Sequence, residues 1–101
     1  MARFKVGVCE CQPELAPGSA RWADLCKTVS KESPDLILLN EMPFGRWIAA
    51  GASFAEGTWK KACAVHEEGI ARFGELGAKA VAATGPRERE GKRGNEAMLW
   101  T

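Results

Sequence analysis

A glutamate at the end of an apolar segment is well placed for catalysis in this 101-residue chain. Four consecutive apolar residues, 36–39, are followed by Asn40 and Glu41. A carboxylate that closes an apolar strand is partly desolvated and is therefore a stronger proton acceptor, which suits a general base. The alternative is a solvated glutamate at a strand end, paired with Arg46.

Four cysteines offer thiols that could act as nucleophiles. Cys9 and Cys11 lie near the end of the first predicted strand, where a neighbouring strand would bring Glu41 within reach as an activating base. We favour the alternative that the thiols are small buried groups, because free cysteine is among the most buried residue types. Cys26 falls in the apolar stripe of a helix and is expected to pack.

Cys63 and His66 are three residues apart on a predicted helix, a spacing that can present two metal ligands on one face. A four-coordinate site needs two more ligands, and the chain has no other histidine and no Cys-x-x-Cys pair. His66 also lies in the apolar stripe of its helix, which favours a packed, hydrogen-bonded histidine. The glycines form no nucleotide-binding pattern. We therefore expect no metal and no cofactor.

Two aromatic residues follow Glu41 in a stretch, 42–55, that is too apolar for a solvated linker. Phe44 and Trp47 could form one wall of a substrate pocket beside the carboxylate. Trp47 could equally anchor the loop, since aromatic burial serves either purpose. The remaining tryptophans are expected in the core: Trp22, Trp59 and Trp100.

Hydrophobic periodicity predicts an α/β fold with about four strands and two helices. Strands are predicted at 4–11, 35–41, 79–84 and 95–100, and helices at about 19–33 and 58–76. The first strand, first helix and second strand form a βαβ unit, which implies parallel pairing. The last two strands are expected to form an antiparallel hairpin through the charged segment 85–94. Ligands of parallel sheets gather beyond the carboxyl ends of the strands, which is where Glu41 lies.

Local signals set the ends of these elements. Ser19 is a suitable N-cap, Pro34 ends the first helix at Ser33, and Gly77 is a suitable C-cap for the second. The apolar run 36–39, bounded by polar residues, is typical of a strand that is covered on both faces. Alternation in the first strand places its apolar residues on one face and its cysteines on the other.

Composition and charge limit the class of protein. A chain with 46% hydrophobic and 27% charged residues fits one ordinary globular domain. The 14 basic residues are balanced by 13 acidic ones, and the basic cluster 87–93 is interleaved with glutamates, so nucleic acid and anionic membrane are not expected partners. The apolar runs reach four residues, against roughly 18 for a spanning helix, and no secretory signal is evident. We expect a cytoplasmic protein with reduced cysteines.

Several stretches of the chain resemble the opening of the nitrilase superfamily, the carbon-nitrogen hydrolases. Residues 5–12, KVGVCECQ, and 34–44, PDLILLNEMPF, are similar to the family's first strand and to the strand that ends in its glutamate. Residues 84–88, TGPRE, and 94–99, GNEAML, are similar to its third and fourth strands. The resemblance covers essentially the whole chain and departs from the family where Asn40 stands in place of the usual proline.

The resemblance implies a partial carbon-nitrogen hydrolase domain over residues 1–101, the N-terminal part of an α-β-β-α sandwich. Such enzymes hydrolyse amides or nitriles with a Glu-Lys-Cys triad, in which Glu41 would be the general base that activates the thiol, beside Phe44 and Trp47. The family's lysine, which stabilises the oxyanion, and its nucleophilic cysteine lie beyond the fourth strand. None of the four cysteines falls at the nucleophile's place. We therefore expect the chain to be inactive alone and to act on a small amide or nitrile only with a complementary C-terminal part.

A hypothesis of a different class is a non-catalytic α/β interaction module. A four-stranded sheet with helices on one side leaves its second face open, and apolar faces of that kind mark interfaces. This hypothesis predicts a homo-oligomer or a stable complex with a complementary chain. A third hypothesis is a thiol or metal site at Cys63 and His66.

Overall fold

The computed structural model describes residues 3–10, 15–45 and 55–101. They form an α/β fold, a four-stranded mixed sheet with two helices. The strands are β1 (Val6–Cys9), β2 (Leu36–Leu39), β3 (Ala80–Arg89) and β4 (Lys92–Trp100). The helices are α1 (Ala20–Glu32) and α2 (Glu56–Ala71), and α2 is followed by a short 3₁₀-helix, Phe73–Leu76. None of the helices in these ranges is long and apolar enough to cross a membrane.

The strands lie in the order β1-β2-β3-β4. β1 pairs with β2 and β2 with β3 in parallel, and Leu36 lies between Val6 and Ala80. β3 and β4 pair in antiparallel fashion, from Val81 opposite Trp100 to Arg89 opposite Lys92. The predicted parallel pairing and the predicted hairpin are both confirmed.

Helix α1 begins and ends where its sequence signals predict. Ser19 Oγ accepts a hydrogen bond from the Trp22 backbone N–H at 3.2 Å and caps the first turn. Ser33 takes a left-handed conformation, φ 47°, and its N–H donates to the Val29 carbonyl at 2.9 Å. Pro34 then prevents another helical turn.

The hairpin is longer than predicted. Residues 85–94 were expected to be a charged loop, whereas strand pairing continues through them to a turn at Glu90 and Gly91, both at positive φ. Their charged side chains pair across the two strands: Arg89 Nε and Nη2 lie 2.6 and 2.7 Å from the two carboxylate oxygens of Glu96. The prediction was wrong because solvent-exposed strands accept opposite charges as cross-strand partners.

Two further predicted boundaries need correction. The second helix was expected at 58–76, but α2 ends at Ala71, and the Arg72 N–H donates to the carbonyls of Gly69 and Ile70 as the chain tightens into the 3-10 helix. The first strand was expected over 4–11, but β1 covers Val6–Cys9. Cys11 lies outside the described residues.

The core lies between the helices and one face of the sheet. Phe73, Leu76 and Val81 are fully buried there, and Trp22 and Trp59 are 2% and 5% exposed, as predicted for core tryptophans. Trp100 and Cys26 are partly buried and pack against the same cluster.

The helices cover only one face of β2. Ile37 is 3% exposed on the covered face, whereas Leu36 and Leu38 on the other face remain partly exposed. The prediction that this strand is covered on both faces is therefore wrong for the described chain, although the apolar run that suggested it is present.

Replacing Gly77 by alanine should destabilise the fold more than the same change at Gly91. Both glycines have left-handed φ, 77° and 75°, so both variants carry the same backbone cost of about 1 kcal/mol. A Cβ at Gly77 would lie 2.5 Å from Ser30 Oγ and 3.2 Å from Ser30 Cα. A Cβ at Gly91 would have no described residue within 4 Å beyond its chain neighbours. Urea denaturation should show that Gly77→Ala lowers the free energy of unfolding by about 1 kcal/mol or more beyond the loss in Gly91→Ala. Equal losses of stability in the two variants would contradict the close packing of Gly77 against Ser30.

Candidate functional site

Glu41 lies two residues beyond β2, at the carboxyl end of the parallel strands. Its side chain is exposed, so the expected partial desolvation of the carboxylate is wrong for the described chain. The side-chain amide of Asn95, on β4, donates from Nδ2 to Glu41 Oε1 at 3.2 Å. The fold thus joins two residues that are 54 positions apart. The sequence signal for Asn95 was its place at the start of the predicted fourth strand, but the pattern gave no reason to pair it with Glu41.

The backbone after Glu41 is held in an unusual conformation. Met42 has a positive φ of 45°, which costs a residue with a side chain about 1–2 kcal/mol. Its N–H donates to Thr84 Oγ1 on β3 at 3.3 Å, and the carbonyl of Pro43 accepts from the Leu15 N–H at 3.3 Å. These contacts fix the turn that directs the Glu41 side chain towards Asn95.

Phe44 anchors the same segment in the core. Its side chain is 2% exposed, and its ring centroid lies 5.4 Å from that of Trp22 and 5.9 Å from that of Phe73. The ring also rests on α2 at Gly69, where a Cβ would overlap the aromatic carbons. The structure shows the Phe44 ring as part of the core. Its role as a pocket wall stays a prediction.

His66, on α2, forms a hydrogen bond with the backbone of this segment. The ring is 2% exposed, its Nδ1–H donates to the Ala62 carbonyl at 2.7 Å, and its Nε2 accepts from the Phe44 N–H at 3.3 Å. One donor and one acceptor are the pattern of a neutral imidazole. Burial lowers the pKa of His66, although the Ala62 and Met42 carbonyls favour the charged form. The predicted packed histidine is confirmed.

The described cysteines are not activated as nucleophiles. Burial raises the pKa of Cys9, Cys26 and Cys63, and the nearby carboxylates Glu88 and Glu67 raise that of Cys63 further. At neutral pH these thiols therefore remain protonated, and the thiolate is the reactive form. Within residues 3–10, 15–45 and 55–101, no group of three or more His, Cys, Asp or Glu side chains could hold a metal ion.

A cleft of about 460 Å³ lies between α2 and the hairpin, away from Glu41. Trp59, Cys63 and Arg87 are among its lining residues, and Glu41 and Phe44 are not. Trp47 and Arg46, predicted as a pocket wall and as an ion-pair partner of Glu41, lie outside the described residues.

Comparison with known proteins gives no match to a family model, to a curated protein or to a solved structure. The candidate site is therefore defined by the local geometry. Asn95 holds one oxygen of an exposed carboxylate, and the second oxygen, Oε2, has no hydrogen bond from another described residue. A carboxylate in this arrangement can accept a proton from a group that approaches from solvent.

The stability of the chain should fall in mild acid because of His66. The pKa of His66 is lowered in the folded state, so the neutral ring contributes stability. That stability is fully present above the pKa of the unfolded chain, about 6.5, and is lost as the pH falls through the lower pKa of the folded chain. Urea denaturation between about pH 5 and 8 should show this loss, and His66→Gln should remove that part of the pH dependence. An unchanged pH profile in the variant would contradict a buried neutral histidine.

Two glycines of the same helix should respond oppositely to alanine. Gly69→Ala should lower the free energy of unfolding by about 1–3 kcal/mol, because the new Cβ displaces the Phe44 ring. Gly57→Ala should leave stability unchanged or raise it by up to about 1 kcal/mol, because no described residue beyond its chain neighbours lies within 4 Å of a Cβ there. Thermal or urea denaturation compares the two, and a stabilising Gly69→Ala would contradict the anchoring of Phe44.

Proposed function

We propose that this chain is the N-terminal portion of a nitrilase-like hydrolase that acts on amide or nitrile carbon-nitrogen bonds. Glu41 is its general base. The lysine and the nucleophilic cysteine of the triad are supplied by another part of the protein, since neither has a counterpart among the 101 residues at the family's positions. The proposal rests on the family resemblance and on one structural observation, the exposed Glu41 carboxylate held by Asn95 at the carboxyl end of β2.

The chemistry assigned to this chain is one proton transfer. A thiol that approaches Glu41 loses its proton to the carboxylate, and the resulting thiolate attacks the carbon of the substrate's carbon-nitrogen bond. For an amide, that bond then breaks to give a thiol ester, and the nitrogen leaves with the proton that Glu41 took up. Asn95 donates to Oε1, which orients the carboxylate and leaves Oε2 to accept the proton. The fixed backbone at Met42 and Phe44 keeps the carboxylate in place during the transfer.

The cysteines of the described residues do not provide an alternative nucleophile. Cys9, Cys26 and Cys63 have raised pKa values because of burial, which opposes thiolate formation. Their environments are consistent with a role in packing. This supports a nucleophile from outside the described part of the chain.

Activity measurements test the proposal. The 101-residue chain alone should release no ammonia from nitriles or amides, whereas the chain joined with its lysine-bearing and cysteine-bearing portion should do so. In that complete enzyme Glu41→Gln should lower kcat by about 100-fold or more, and Glu68→Gln, an exposed glutamate on α2, should leave it unchanged.

Two results would overturn the proposal. One is turnover by the isolated chain that Glu41→Gln abolishes, since the base would then act without the missing residues. The other is a neighbouring coding sequence that supplies neither a lysine nor a cysteine at the end of a strand.

A further inference from the structure

His66 is a buried titratable group that the proposed chemistry does not use. Its Nδ1–H donates to the Ala62 carbonyl of the same helix at 2.7 Å. Its other ring nitrogen, Nε2, faces the backbone that follows Glu41 and accepts the Phe44 N–H at 3.3 Å. The protonation state of this one nitrogen therefore acts on the segment that carries Glu41, residues 41–45.

Two backbone groups of opposite polarity in this segment lie within hydrogen-bond reach of the ring. The neutral ring has a lone pair on Nε2, which suits the Phe44 N–H. The protonated ring carries an N–H in its place, which repels the Phe44 N–H and needs an acceptor. The Met42 carbonyl supplies one, since it favours the charged form of the ring. The Ala62 carbonyl accepts from Nδ1 in both forms, so the exchange is confined to the side of the ring that faces the segment.

The elements packed around His66 present neutral groups to its ring. The Phe44 ring centroid lies 5.8 Å from that of His66, and β3 passes the ring at Gly85. Burial lowers the pKa of His66, and the Ala62 and Met42 carbonyls oppose that shift.

The charged side chains near these contacts point to solvent. The titratable described residues within three positions of Phe44, His66 or Gly85 are Glu41, Cys63, Glu67, Glu68, Arg87 and Glu88. All the charged ones are exposed. Burial raises the pKa of the Cys63 thiol, which stays neutral. The proton on His66 therefore acts mainly through the backbone groups of the segment.

We propose that protonation of His66 releases Glu41 from Asn95, so that the carboxylate is held in place only while the ring is neutral. The proton comes from solvent and binds Nε2, which displaces the Phe44 N–H. The Met42 carbonyl then turns towards the new N–H. Because Met42 directly follows Glu41, this turn breaks the 3.2 Å contact between Asn95 Nδ2 and Glu41 Oε1. This pH dependence regulates the proposed site, and its catalytic consequence rests on the proposed function.

The segment moves, and helix α2 does not, because the segment is held less firmly. The 16 residues of α2 keep their helical hydrogen bonds and the bond from His66 to Ala62 in both forms. Met42 has a left-handed φ of 45°, which is unfavourable for a residue with a side chain, and its N–H is held by Thr84 Oγ1 at 3.3 Å. A turn of the Met42 carbonyl gives up that one bond and relieves the strained backbone.

NMR titration of the isotope-labelled chain between about pH 8 and pH 4 tests the release. Signals of the His66 ring, the Phe44 amide and the Asn95 side-chain amide should move with one shared midpoint below about 6.5, since burial lowers the pKa of the ring. The Val81 amide of the core should keep its position. Below the midpoint, protection of the Phe44 amide from hydrogen exchange should fall about tenfold or more relative to Val81.

Two variants separate His66 from the carboxylate. His66→Gln offers an oxygen that can accept the Phe44 N–H but does not titrate, so the Phe44 signal should stay constant through the midpoint. Glu41→Gln removes only the carboxylate, so the Phe44 signal should still move. If His66→Gln does not fold, the wild-type titration and Glu41→Gln decide.

Three results would overturn the proposal. One is a Phe44 or Asn95 signal that stays in place while the His66 ring titrates. Another is a His66 ring that titrates only when the folded Val81 signal is lost, since the chain would then unfold as a whole. The third is a Phe44 shift that disappears in Glu41→Gln. These measurements need no activity, so their failure is distinct from a failure of the proposed hydrolase.

Discussion

The hydrogen bond from the Phe44 backbone N–H to His66 Nε2 connects the segment that carries Glu41 to helix α2. The bond is buried, and it requires a neutral ring with Nδ1–H donating to the Ala62 carbonyl. The Phe44 ring, packed against Trp22 and Phe73, keeps water from competing for it. The positive φ of Met42 is tolerated because the following residues are held in this way.

The candidate site lies beside the face of the sheet that the helices leave uncovered. Thr84 and Asn95 occupy strand positions of the same alternation as Ala82 and Leu99, so they belong to the uncovered side of the sheet. Both contact the residues after β2: Thr84 accepts from the Met42 N–H, and Asn95 donates to Glu41. The residues after β2 are therefore tied to the uncovered side of the sheet through β3 and β4.

Local sequence patterns predicted the strands and helices, but they did not predict the features that depend on pairing between distant residues. The N-cap at Ser19, the stop at Pro34 and the apolar run of β2 depend on neighbouring residues, and the structure contains all three. The charged hairpin arms were predicted as a loop, because the cross-strand pairing of Arg89 with Glu96 is not visible in a linear charge pattern.

The same limit applies to the site. Helical periodicity predicted that His66 packs inside, but not that it accepts the Phe44 N–H. Glu41 was predicted from its place at the end of a strand, whereas Asn95 becomes its partner only through the register of β3 and β4. Trp47 and Cys11 lie outside the described residues, so their predicted roles stay predictions.

Hydrogen exchange of the Phe44 backbone amide tests the central claim most directly, because this amide is the donor that fixes the segment behind Glu41. The account predicts that the Phe44 amide is protected as strongly as the amides of β3, which exchange only through global unfolding. A Phe44 amide that exchanges as fast as an unstructured loop would contradict the account, since Glu41 would then lie on a segment that the core does not hold.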